Sequence, residues 1–540
     1  MPSPAVKFQG NLAVIDFGPP FDAESYGLFL KVKALPESHT IFLEESFVHR
    51  VTTPARFANL LGVDAAPLRL RDHLVFPSHG WDYQRYGLAE AIEAKRWAAW
   101  WDCGMGKTWL EWAFAFMVAE QLTGGRVLIL TLPEVIPELL AMMASWYGDT
   151  PPCPVRTIGT RAELVRWCRG DFGDGPEVGI CNYEKLIPGP VVEFRHLAGI
   201  VADESSLLKA GGGTIKWNLI KSARGVEYKL SCTGTPAPNE AMEYASQGSF
   251  LERLRTEGEI LWTFFSKTRD GEWYIKPHAR EAFYRFLSTW SMYLRDPSAY
   301  GFRDNVVKLP EPIYLPHQVP ATGEQLRMAE SLGVVQAGDL FAEPKSMGVE
   351  ERAKLAQAAR GFVYQGGGRE AWSPVDSLKP QLMADLVRCE AGAGAQVITW
   401  CEFHAEVEIL RGMVSGSGVD AGYISGDTPK KRRREIVREF QQGNLQVLVS
   451  KDTLIGYGLN LPMATAHVGS PTDSAERFYQ RTRRSYRYGQ RERLRVHLPY
   501  VPELEGATYQ NLTEKLGRME SDAVEQEHYY AAQMRERMAA

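Results

Sequence analysis

The sequence predicts an α/β protein: two tandem domains, each a parallel sheet covered by helices, with a small β-rich domain in front and a helical insertion. Three observations lead there. Short apolar runs of strand length alternate with longer helical segments over residues 76–250. The same alternation returns over 375–505, and continuous apolar strands are what a sheet buried on both faces requires. Finally, Asp102 to Thr108, Asp203-Glu204 and Thr233 to Pro236 each follow directly on an apolar strand. Open parallel sheets bind their ligands at those carboxyl ends.

Residues 1–75 read as the β-rich domain. Leu12 to Phe17, Tyr26 to Val32 and Thr40 to Leu43 are strand-like, and Thr53-Pro54 supplies the N-cap and first position of a short helix. In 76–250 the strands are Trp97 to Trp101, Arg126 to Thr131, Val178 to Asn182, Leu197 to Ala202 and Tyr228 to Cys232. Thr108 to Leu122 has the length and spacing of a helix. Residues 251–320 form an aromatic-rich helical insertion and connector, where Trp262, Phe264, Trp273, Phe283 and Trp290 crowd among lysines and arginines. Exposed rings in such company stack on bases; the favoured reading here is a small aromatic core. A helical linker region occupies 321–374.

In 375–505 the strands are Gln396 to Cys401, Ala421 to Ile424, Gln446 to Ser450, Ala466 to Gly469 and Leu494 to Tyr500. The helices between them are His404 to Val414, Thr428 to Gln441 (capped by Asp427 or Thr428) and Asp473 to Tyr488. Arg484 and Arg487, three apart, share a face of the last helix. Residues 506–540 read as amphipathic C-terminal helices.

Strand, glycine turn, Lys-Thr and helix is the order of a phosphate-binding loop, and Asp102-Cys103-Gly104-Met105-Gly106-Lys107-Thr108 has it. Glycines let backbone N–H groups close on phosphate oxygens, and the helix start adds its positive dipole end. Lys107 can reach the β- and γ-phosphates, and the Thr108 hydroxyl can hold Mg²⁺. Trp101 stands where the usual pattern has its first glycine. Taken alone, the loop is matched by the plain reading of a glycine turn before a helix. Asp203 can hold Mg²⁺ and Glu204 can activate water. A solvated acidic pair is the plain alternative, and it loses when a phosphate loop lies opposite.

The 540 residues are 44% hydrophobic and 24% charged, a balance that builds ordinary globular cores. A net charge of −5 gives no bulk signal for nucleic acid, so local basic patches must carry any such reading. The seven cysteines form no Cys-x-x-Cys pair, which argues against structural zinc and for reduced thiols. No segment reads as membrane-spanning and no signal peptide is expected, so the expected location is the cytoplasm.

The motifs then fall into a known order. Tyr83-Gln84 comes first, followed by Asp102 to Thr108, Leu128 to Pro133, Asp203-Glu204-Ser205-Ser206 and Thr233-Gly234-Thr235-Pro236. In the second domain come Val397 to Phe403, Ser425-Gly426-Asp427-Thr428-Pro429 with Arg433 and Phe440, and Gly456 to Leu461. Gln480 to Arg484 with Arg487, Gly489 and Gln490 closes the series. Over residues 80–515 this resembles superfamily two helicases, and among them Swi/Snf-type DNA translocases in the compact form of phages and prophages. Ser206 replaces the family's usual histidine or glutamine, and Arg483 its usual aspartate.

The resemblance implies two RecA-like lobes with ATP and Mg²⁺ between them. It implies Gln84 at adenine, with Gly104, Met105, Gly106, Lys107, Thr108 and Gly458 around the nucleotide. Thr108 and Asp203 would hold Mg²⁺, while Lys107, Asp203, Glu204, Gln480, Arg484 and Arg487 would form the catalytic set. Double-stranded DNA is the implied partner, contacted near Thr131, Pro133, Thr233 and Lys451; the motifs name no phage or host protein partner. A strand-separating DNA or RNA helicase shares every ATPase residue and is the first alternative. An ATP-gated nucleic-acid switch without net movement is the second.

Overall fold

Arg96–Trp101 reads Arg-Trp-Ala-Ala-Trp-Trp, and five of its six residues are buried. A strand reaches that state only with neighbours on both edges and cover on both faces. The computed structural model describes residues 6–9, 12–18, 28–30, 32–33, 38–43, 48–54, 75–208, 213–236, 243–254, 256–268, 273–303, 310–332, 349–365, 371–416, 418–455, 460–487, 489–490 and 492–539. The chain divides into two units, 1–306 with 521–540, and 307–520.

The first unit is built on a seven-stranded sheet. Its order is Ser291–Leu294, Arg96–Trp101, Tyr228–Cys232, Gly199–Ala202, Arg126–Thr131, Glu177–Asn182 and Val155–Thr157, with every neighbouring pair parallel. The aromatic-rich segment contributes the helices Glu257–Phe264 and Arg280–Ser288 and the sheet's edge strand Ser291–Leu294. Phe264, Phe265, Phe283, Tyr284, Phe286 and Trp290 are buried, as a core reading expects, and Trp100 meets Trp290 edge-on at 5.2 Å. Trp262, 66% exposed, and Tyr274, 46% exposed, depart from it. The helix after the phosphate loop runs Lys107–Phe116 and continues as a π-helical turn, Met117–Thr123, which ends at left-handed Gly124. Among the described residues no helix is long and apolar enough to cross a membrane.

Four antiparallel strands form a sheet at the start of this unit, in the order Val6–Gln9, Leu12–Phe17, Val48–Pro54, His39–Leu43. Two expectations fail here. Leu28–Leu30 and Val32–Lys33 are helical, not extended. Phe29 and Val32, three apart, share a helix face and pack on Ile15, Phe17 and Val51. Thr53 and Pro54 do not start a helix; they end the strand paired with Leu12–Phe17. Thr53 is fully buried and its hydroxyl accepts a bond from Ser38 Oγ at 2.8 Å. The helix expected after Pro54 falls outside the described residues.

The second unit holds a six-stranded sheet. Its order is Ile313–Gln318, Arg495–Tyr500, Ala464–Gly469, Gln396–Cys401, Val447–Lys451 and Ala421–Ile424, again parallel throughout. The helix expected from Thr428 begins at Lys430 with Pro429 as its cap. The Thr428 hydroxyl instead accepts the Ser425 N–H at 3.0 Å, closing the loop before the helix. The helix expected over 473–488 covers only Ala475–Thr482. Beyond it the chain turns, and the Leu461 N–H donates to Arg484 O at 2.9 Å. Arg484 and Arg487 therefore do not share a helix face. The C-terminal helix, Pro502–Ala539, starts in this unit, where buried Glu505 accepts bonds from Lys379 at 2.6 Å and Arg360 at 3.1 Å. From residue 521 on, the same helix belongs to the first unit.

Candidate nucleotide site

The loop between Trp101 and Lys107 is shaped by two left-handed glycines, Gly104 at φ 86° and Gly106 at φ 79°. Such φ values cost glycine little and strain other residues. Tyr83 OH donates to Met105 O at 3.0 Å, and Gln84 Nε2 donates to the same carbonyl at 3.2 Å. Gln84 Oε1 accepts the Trp81 N–H at 2.9 Å. Gln84 is thus buried against the phosphate loop, with its amide fixed from both ends. Lys107 Nζ donates to Trp101 O at 2.9 Å and Asp102 O at 3.3 Å. Burial works against its charge, but Cys103, Glu204, Asp102 and Asp203 outweigh burial and raise its pKa.

Asp203 sits at the end of its strand with each side-chain oxygen engaged. Thr131 Oγ1 donates to Oδ2 at 2.6 Å and the Glu204 N–H donates to Oδ1 at 2.8 Å. Tyr183 OH donates to the Asp203 carbonyl at 2.5 Å. Glu204 lies at φ 46°, a left-handed conformation that a non-glycine residue adopts at a cost of about 1–3 kcal/mol and that clusters at functional sites. Burial, then the charge of Glu204, pushes the Asp203 pKa up.

A further carboxylate, Glu111, is fully buried one turn into the phosphate-loop helix. Burial and then Asp203 raise its pKa well above the carboxylate range. Two bare carboxylates would repel, and a proton on Glu111 would relieve that repulsion. Sequence reasoning missed this residue. Its signal was a lone acid inside Trp109-Leu110-Glu111-Trp112, an otherwise apolar helix.

Two residues expected at nucleic acid are turned inward. Thr131 is fully buried with its hydroxyl spent on Asp203. Thr233 is fully buried too; its N–H donates to Ala99 O at 3.2 Å and its hydroxyl accepts the Thr235 N–H at 3.1 Å. Both shape the site and present no surface. Pro133 is half-buried in the turn after its strand. Gly234 lies against Lys107: a Cβ on it would stand 3.5 Å from Lys107 Nζ. The donor set of this unit fits a Mg²⁺-triphosphate group: loop amides opened by two left-handed glycines, one ammonium, one half-buried threonine hydroxyl and a strand-end carboxylate.

In the second unit Lys451 is half-buried at the end of Val447–Lys451, and Gly458 lies outside the described residues. Arg484 is buried, with Nη2 donating to Gln480 Oε1 at 3.4 Å. Arg487 is half-buried and its Nε donates to Arg483 O at 2.9 Å. Arg481 was not singled out from sequence, yet it forms a buried pair with Asp452, donating to Oδ2 at 2.8 and 3.2 Å. The basic helix Lys430–Gln441 sorts its cations by face. Arg432 pairs with Glu435 and Glu439, and Arg433 donates to Thr428 O and Gly426 O. Lys430, Lys431, Arg434 and Arg438 point to solvent. A recess of about 460 Å³ lies beside this helix, lined by Tyr423, Asp427, Thr428 and Arg432 among others.

Known proteins resemble parts of this arrangement. Residues 378–489 match the family described as the helicase conserved C-terminal domain. A stretch of 110 residues is 29% identical to the ATP-dependent RNA helicase RhlB of Xanthomonas axonopodis pv. citri, covering 20% of this chain and 18% of that protein. The RhlB of Aliivibrio fischeri is 28% identical over 153 residues, 27% of this chain and 33% of its own length. The chain thus spans a third or less of these curated relatives. Among solved structures, the Sulfolobus solfataricus SWI2/SNF2 ATPase core in complex with dsDNA aligns over 80% of this chain and 90% of its own, at 17% identity and a TM-score of 0.39. The family likeness accordingly rests on the second unit, through its match to the helicase conserved C-terminal domain.

Proposed function

We propose that this chain is an ATP-driven motor that moves along duplex DNA. One observation carries the reading: Lys107 follows a loop shaped by two left-handed glycines, with Gly234 close against its ammonium, in a chain whose other unit matches a helicase C-terminal domain. Lys107 and the loop amides hold the phosphates, and Gln84 turns from Met105 to the adenine. Thr108 and Asp203 hold Mg²⁺, which when bound neutralises charge on the phosphate oxygens. Glu204 accepts the proton of the attacking water. Glu111, keeping its own proton, holds Asp203 charged and oriented. Arg484 and Arg487 are assigned to the transferred phosphoryl group, with Gln480 orienting Arg484; Gly458 is assigned to the nucleotide.

Pro133, Lys451 and the exposed Lys430, Lys431, Arg434 and Arg438 are the proposed contacts to the DNA backbone. Phosphate contacts of this kind predict weak sequence preference and strong salt dependence. The second reading is a strand-separating RNA helicase, favoured by the names of the relatives that match the chain.

Steady-state ATPase with duplex DNA, single-stranded DNA, RNA or no nucleic acid, at two salt concentrations, decides between them. Salt-sensitive stimulation by duplex DNA is the expected result. Stimulation by RNA or single strands alone would replace the motor with the second reading. No stimulation by any of them would overturn both.

A further inference from the structure

Gln247 lies on the helix Tyr244–Phe250, all seven residues of which are buried, and is itself 1% exposed. Its side chain joins segments that are far apart in sequence. Gln247 Oε1 accepts from Trp100 Nε1 at 2.7 Å, from Ser231 Oγ at 2.9 Å and from Ser205 Oγ at 3.3 Å. Gln247 Nε2 donates to Pro236 O at 3.0 Å. The amide can face only one way. An indole N–H only donates and a proline carbonyl only accepts, so Oε1 must meet Trp100 and Nε2 must meet Pro236.

Trp100 belongs to the strand that enters the phosphate loop. Ser205 follows Glu204 directly, and Pro236 closes the loop whose Gly234 lies against Lys107. An amide oxygen has two lone pairs, and here three donors share it. The Ser205 bond is the longest of the three and the first to exchange. Any shift of Asp203-Glu204 that shortens it draws the amide from its other donors and moves the bond to Pro236 O. Trp100, wedged between Trp290 at 5.2 Å and Tyr244 at 4.8 Å, is the fixed point of that motion.

We infer that Gln247 is a positioning residue that couples the acid loop, Asp203–Ser205, to the loop Thr233–Pro236, so that the nucleotide state at one is transmitted to the other. The inference rests on the ATPase reading above. Gln247 touches no substrate; it acts through Ser205 and Pro236.

The test uses the full chain. Ser205→Ala removes only the tie to the acid loop. Gln247→Glu keeps the acceptor for three donors and sets an oxygen against Pro236 O. Ser231→Ala removes a bond to the same amide from a residue in neither loop. Expected are a roughly tenfold fall in nucleic-acid-stimulated kcat for Ser205→Ala and for Gln247→Glu, a KM for ATP within about twofold of wild type, and a double variant no worse than either single. Ser231→Ala should stay within about twofold in kcat.

Amide hydrogen exchange with a non-hydrolysable ATP analogue and Mg²⁺ supplies a readout without nucleic acid. In the wild type the analogue should change protection at both Glu204–Leu208 and Thr233–Thr235; in Ser205→Ala it should change only the first. Additive losses, a Ser231→Ala loss equal to that of Ser205→Ala, or an unchanged response at Thr233–Thr235 in Ser205→Ala would overturn the relay. A wild-type ATPase that no nucleic acid stimulates would defeat the motor reading instead, and the exchange experiment would still decide the relay.

Discussion

Gly106 and Gln84 meet so closely that a Cβ on the glycine would lie 2.0 Å from Gln84 Nε2. Gly106→Ala must therefore push Gln84 off Met105 O while holding a left-handed backbone, worth about 1–2 kcal/mol of strain. We expect at least a tenfold loss of ATPase turnover and a lower melting temperature. Adding Gln84→Ala removes the clash but leaves the strain, so the double variant should regain only part of the lost stability. Full recovery would show that the clash alone mattered.

Lys107→Ala should abolish ATP turnover and weaken ATP binding, with circular dichroism unchanged. Glu204→Gln should abolish turnover and keep ATP binding, because it removes the base and leaves the phosphate contacts. Arg487→Ala should lower turnover about 10³-fold or more, the scale of an arginine that stabilises phosphoryl transfer. Loss of ATP binding at normal turnover in that variant would contradict the assignment.

Arg481 and Asp452 form a buried ion pair, and removing one partner of such a pair strands the other charge at a cost of about 3–5 kcal/mol. Asp452→Ala should lower the stability of the unit that holds it by that amount in urea titration. The double replacement Asp452→Leu with Arg481→Met should recover most of the loss, since apolar residues of similar volume substitute well for buried pairs.

Acid should destabilise the protein through two buried histidines. Burial, then Arg253, holds the pKa of His39 down at about 3, and burial, then Arg481, does the same for His467. Both are neutral in the fold and would charge near pH 6.5 once unfolded. A depressed folded pKa contributes stability above the unfolded value and loses it as pH falls toward the folded one. Between pH 6.5 and 5 each histidine should cost about 2 kcal/mol. His467→Gln, which keeps a partner for Ser485 Oγ, should flatten the fall of melting temperature between pH 7.5 and 5; an unchanged slope would remove His467 from the account.

The strands that place the site were the easiest part to read from sequence. Trp97 to Trp101 and Val127 to Leu130 are apolar on both faces, as strands buried inside a covered sheet require. The edge strands Val155–Thr157 and Ser291–Leu294 were not foreseen; the first is short and half-exposed and carries little pattern. Periodicity also overran the helix before Arg484, where the Leu461 N–H that meets the chain comes from a distant residue. Inward hydroxyls were invisible for the same reason. Nothing near Thr131 or Thr233 in sequence announces Asp203 or the turn at Thr235. Glu111 was visible as an acid in an apolar helix, but its meaning came only from its neighbour.

The helix Pro502–Ala539 sets an order of construction. Beyond residue 521 it supplies Gln526 to Tyr244 OH at 2.8 Å, Tyr530 to Ser291 Oγ at 2.6 Å, and the Glu527 carboxylate to the N–H groups of Arg295 and Asp296. Those partners belong to the phosphate-loop unit, whose other residues are translated hundreds of codons earlier. The first unit therefore cannot complete its core during its own synthesis. The residues that close it come only after the whole of the second unit, so a fragment cut after residue 306 lacks them.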